Sequence, residues 1–122
     1  MKANELMIGD WVNTPNGISR VIYIAKYSGI YTDNTNVGEK LYSPHEINPI
    51  PLTPKILEKN GFERSKVFVE WKYENDDAYM IYKPFPYFKI QMEECVVAFP
   101  CKYVHQLQHA LHLCEIEKEI EL

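Results

Sequence analysis

The stretch KYVHQLQHALHLC, residues 102–114, sets His105, His109 and His112 at i, i+4 and i+7, followed by Cys114. On a helix that spacing gathers imidazoles on one side, and two of them four residues apart can bind zinc or nickel once a third ligand is supplied. No glutamate stands inside a histidine pair as in H-E-x-x-H, so the base that metallopeptidase chemistry requires is missing. A helical wheel puts Tyr103, Val104, Leu107, Ala110, Leu111 and Cys114 on one side and the three histidines nearly opposite. They are therefore expected to be solvated surface residues. His105, His109 and His112 stand as weak candidates for a metal site, and no catalytic residue and no cofactor is assigned.

Other reactive side chains read in the same way. Cys95 and Cys114 are expected to pack as small hydrophobes, whereas Cys101, close to the start of the last helix, could have its thiol pKa lowered by that N-terminus. Asp76-Asp77 and Glu93-Glu94 are adjacent carboxylates whose side chains diverge in a strand or turn. Asp33 followed by Gly38 imitates a calcium loop, but Val37 and Pro44 fall where oxygen ligands belong. No Gly-rich phosphate loop or nucleophile elbow is present.

Composition narrows the classes further. The net charge of -4 is evenly spread, with four Lys/Arg against five Asp/Glu in residues 1–52 and seven against eight in residues 53–100. Duplex DNA is not an expected partner, because neutralising phosphates needs clustered cations. Three cysteines without C-x-x-C spacing, together with an N-terminus that lacks an apolar signal-type stretch, point to a reducing, cytoplasmic setting. No apolar run approaches the length of a membrane span, so no membrane association is expected.

The elements that would carry these residues suggest an α+β fold. In LMIGDWVNTPNGISRVIYIAKY, Pro15-Asn16-Gly17 separates two apolar runs and predicts a β-hairpin. Gly29–Thr32 and Glu39–Tyr42 predict a second hairpin around a loop at 33–38, and SPHEINPIPL offers Ile47, Ile50 and Leu52 to a closing strand. This order suggests an SH3-like β-barrel over residues 1–52, since closure removes the exposed edges of short strands. Over 53–122 the pattern predicts a helix capped by Thr53 and stopped by Asn60-Gly61, a four-stranded antiparallel meander and a C-terminal helix. The two parts are expected to form one compact unit. Period-two alternation in KVFVEWKYE puts Val67, Val69 and Trp71 on the buried face and Lys66 and Lys72 on the other. The tail CEIEKEIEL suits an edge strand or a frayed end.

The segments MKANELMIGDWV, INPIPLTPKILEKNGF and YVHQLQ, in this order, resemble a family of small proteins encoded by gut Bacteroidetes and by their phages or integrated elements. That family is tied to no activity, so the resemblance implies a setting and no reaction. Its pattern continues YVHQLQ with an apolar, aromatic stretch and a glycine turn, where this chain has HALHLCEIEKEIEL. Only His105 lies inside the shared motif. The resulting expectation is a non-enzymatic binding or accessory protein of a phage or mobile element, with a protein partner. The alternatives are a nucleic-acid-associated SH3-like module and, behind it, a metal-dependent enzyme.

Overall fold

The computed structural model describes residues 1–25, 28–66, 69–75, 79–84, 89–92 and 95–122, residues 95–97 by their backbone. The fold is α+β with two antiparallel sheets, and the chain divides into two compact units, Met1–Ile50 and Pro51–Leu122.

In the first unit, β1 (Trp11–Thr14), β2 (Gly17–Ala25), β3 (Gly29–Asn34) and β4 (Gly38–Tyr42) follow one another across a single sheet. The β1–β2 turn is built by the residues expected to build it. The Thr14 hydroxyl donates to the Gly17 carbonyl at 2.8 Å and accepts from the Asn16 amide at 3.2 Å. At the β3–β4 turn, the Asn34 side chain accepts from the Asn36 amide at 2.8 Å. Gly29 has φ +120°, and a Cβ there would sit 2.3 Å from the Tyr42 carbonyl oxygen, so glycine is required. Ile22 is an extra residue in β2: Val21 faces Thr32 while Tyr23 faces Tyr31, which is a bulge.

After β4 the chain makes a 3-10 turn, Pro44–Glu46, in which the Ser43 amide donates to the Glu46 carboxylate at 3.1 Å. It then returns to β1, where Asn13 and Asn48 exchange backbone hydrogen bonds of 2.8 and 2.9 Å. Leu6, Val12, Val21, Ile30, Tyr42 and Ile47 form the apolar core. The expected closed barrel is not found: the ladders leave β4 as one end of the sheet among the described residues.

The second unit opens with α1 (Pro54–Lys59), started by Thr53, whose hydroxyl accepts from the Ile56 amide at 3.3 Å, and ended at Asn60-Gly61. Its sheet runs β5 (Glu63–Arg64), β6 (Trp71–Glu74), β7 (Tyr79–Lys83), β8 (Lys89–Met92) and β9 (Cys95–Pro100) in that order. The short β5 adds a fifth strand to the meander read from the sequence. Trp71, Met80, Tyr82, Ile90 and Met92 are buried on one face of the sheet. The last helix, α2 (Val104–Leu113), buries Val104, Leu107, Ala110 and Leu111.

KVFVEWKYE is not one continuous strand. The Ser65 amide donates to the Glu70 carbonyl at 2.9 Å, closing a β5–β6 hairpin whose second strand starts only at Trp71. Trp71 is buried at 5% exposure, and Lys66 and Lys72 are exposed, but Val69 lies in the connection at 55% exposure. Its predicted burial is corrected: strand alternation does not extend into a turn. Val67, together with the adjacent carboxylates Asp76-Asp77 and Glu93-Glu94, lies outside the described residues.

The tail is neither a strand nor frayed. The Asn60 side chain donates to the Glu121 carbonyl at 2.7 Å and accepts from the Glu121 amide at 2.8 Å, while Ile120 is buried. Glu115 takes φ 56° as the chain leaves α2, and the Ile116 amide donates to the Leu111 carbonyl at 2.9 Å. That turn lets the tail run back to α1.

Candidate functional site

The first turn of α2 is set by Gln106, whose side-chain oxygen accepts from the amides of Lys102 at 2.7 Å and Tyr103 at 3.1 Å. This fixes the Tyr103 ring beside the helix. His105 stacks on it with centroids 5.9 Å apart, and His109 meets His105 edge-on at 5.4 Å. The Lys102 ammonium lies 5.7 Å from the centre of the Tyr103 ring.

His105 is consequently buried at 6% exposure, His109 is half-buried and His112 is exposed. The expectation that all three histidines lie on a solvated face is corrected for His105, because neighbouring aromatic rings cover the polar side of the first turn. Among the described residues no group of three or more His, Cys, Asp and Glu is placed to hold a metal ion.

Burial pushes the Cys101 thiol up to about 12, the opposite of the activation that a helix N-terminus would produce. The α-helix begins three residues later, at Val104, so Cys101 is not one of its N-terminal residues. Burial, together with the nearby Cys101, raises Tyr82 to about 12 as well. Cys114 does not pack as a free thiol; it is disulfide-bonded. The Cys95 side chain lies outside the described residues.

Two surfaces remain that sequence reasoning did not single out. One is a pocket of about 450 Å³ on the solvent-facing side of the second sheet, lined by Glu74 of β6, Tyr79 and Ile81 of β7 and Gln91 of β8. The other is the outer face of the first sheet. There the register aligns Tyr23, Tyr31 and Leu41 across β2, β3 and β4, and beside them Trp11, Arg20, Asp33 and Glu39.

Tyr23 is 58% exposed and Leu41 45%, and the two tyrosine rings lie 5.9 Å apart. The Arg20 guanidinium sits 4.9 Å from the centre of the Trp11 ring, and its Nε donates to the Gly9 carbonyl at 3.2 Å. Arg20 thus covers the indole, while Asp33 and Glu39 continue the row as exposed carboxylates. The sequence signal for the aromatic row was the alternation of VIYIA, but the bulge at Ile22 hides which side chains face out.

No helix among the described residues is long and apolar enough to cross a membrane. Comparison of the chain with protein-family models, curated proteins and solved structures finds no match.

Proposed function

We propose that the protein is a non-enzymatic binding protein, an accessory of a phage or mobile element, that engages a protein partner through the outer face of its first sheet. The observation that carries this reading is the row of Tyr23, Tyr31 and Leu41 on a hydrogen-bonded sheet, with Tyr23 and Leu41 exposed and Tyr31 half-buried between them. Large aromatic side chains on a rigid surface supply contact area at low entropic cost, and tyrosine is enriched where proteins bind one another. An SH3-like relationship is supported by the strand order β1 to β4, the 3-10 turn after β4, and the return of Asn48 to β1. The mobile-element setting rests on the resemblance of the three sequence segments.

A second reading, a nucleic-acid-associated module, draws on the same pair of tyrosines, of which Tyr23 is exposed, because bases stack on aromatic rings. The carboxylates of Asp33 and Glu39 beside them count against it.

Affinity capture from the native host tests the proposal, using wild type and a Tyr23→Ser/Leu41→Ser double variant whose fold is checked by circular dichroism. The expected result is a protein retained by wild type and lost by the variant. An unchanged set of captured proteins would count against this face, and a nuclease-sensitive set would favour the second reading.

A further inference from the structure

The two sides of the first sheet end differently. At β1 the outer backbone is occupied, with Asn13 and Asn48 exchanging hydrogen bonds. At β4 the pairing stops: Gly38–Tyr42 is hydrogen-bonded to β3, and among the described residues no backbone group pairs with its other side. Glu39, Lys40 and Leu41 are all exposed. An open edge of this kind is a template for an added strand, in which backbone hydrogen bonds give affinity and alternate side chains give specificity.

The side chains along the edge define what can add. Leu41 and Glu39 project from the outer face, where Leu41 continues the row of Tyr31 and Tyr23, and Glu39 stands beside Asp33. Lys40 projects from the other face. A second copy of this chain is a poor occupant: antiparallel pairing over the full length of β4 is centred on Lys40, which places Lys40 directly opposite its own counterpart. Like charges in that position are destabilising.

We infer that the open edge of β4 accepts an extended segment of a partner protein, added antiparallel, with an aromatic residue opposite Leu41, an acidic residue opposite Lys40 and a basic residue opposite Glu39. The aromatic residue extends the Tyr23–Tyr31–Leu41 row, and the basic residue meets the two carboxylates of Glu39 and Asp33. This rests on the reading of the first sheet as the working surface and specifies the chemistry of what binds there.

The test is an NMR titration of the full-length protein with a short capped peptide carrying phenylalanine, glutamate and arginine consecutively at its centre. A second peptide exchanges the two charges. The expected result is a chemical-shift change centred on Gly38–Tyr42, slowed exchange of β4 amides, and binding about tenfold or more weaker for the exchanged peptide. Glu39→Lys should weaken binding of the first peptide and narrow or reverse that preference, and it is an exposed site whose fold can be verified from the same spectra. Absence of binding, a contact site away from β4, or equal affinity of both peptides for wild type and Glu39→Lys would overturn the inference. The underlying reading fails separately: it falls if the Tyr23→Ser/Leu41→Ser variant captures the same host proteins as wild type, or if the captured set is nuclease-sensitive.

Discussion

Cys101 and Tyr82 show how burial, joined at Tyr82 by the neighbouring Cys101, sets the chemistry of a side chain. Both native groups hold their protons to about pH 12, whereas in the unfolded chain the thiol and the phenol titrate at their ordinary values of 9.0 and 10.0. Between about pH 9 and 12 the unfolded state therefore binds fewer protons than the native state, and stability must fall as pH rises through that window. Urea midpoints measured upward from pH 8 should decline, and Cys101→Ala should make the decline shallower. Native Cys101 should also resist alkylation at pH 8 and react on unfolding, which mass spectrometry can follow. At Gly29 the constraint is steric: Gly29→Ala forces a Cβ against the Tyr42 carbonyl at φ +120°. It should cost about 2 to 4 kcal/mol in chemical denaturation, since strained backbone and overpacking add.

At the scale of elements, α2 divides its substitutions cleanly. Leu107→Ala should cost about 2 to 5 kcal/mol, as for other buried leucine truncations, whereas His112→Ala should stay within about 0.5 kcal/mol. His105→Ala falls between them because it removes a ring stacked on Tyr103. Thermal or urea melts of the three variants test the order. At the C-terminal end of α1, Asn60→Ala should free the tail, and hydrogen exchange at Glu121 should accelerate, because Asn60 holds both backbone groups of that residue.

Much of this layer was readable from sequence. The Pro15-Asn16-Gly17 hairpin, the Thr53 cap and the buried stripe of α2 are local patterns whose physics lies within a few residues. What could not be read depends on partners distant in sequence. β5 exists only through its pairing with β6, Val69 is exposed because that hairpin turns where alternation suggested a strand, and the tail is fixed by a side chain some 61 residues away. His105 is covered by rings whose placement depends on the Gln106 cap. The face carrying Tyr23, Tyr31 and Leu41 was hidden for a related reason: three strands must be brought into register, one across a bulge, before the row exists.

For the whole molecule, the even distribution of charge leads to a simple expectation. A fluorescence-anisotropy titration with duplex DNA at physiological salt should detect no binding tighter than the roughly 10⁻⁴ to 10⁻⁶ M of non-specific association. The division at Ile50 and Pro51 has a further experimental consequence. The chain has two tryptophans, and each unit holds one: Trp11 half-exposed beneath the Arg20 guanidinium, Trp71 buried at 5% exposure. Each unit thus carries its own intrinsic fluorophore in a different solvent environment. Trp71→Phe leaves the emission of Trp11 alone, Trp11→Phe leaves that of Trp71, and the wavelength maximum of the second variant should lie to the blue of the first. Stopped-flow unfolding of the pair then resolves the optical signal by unit, without an extrinsic dye.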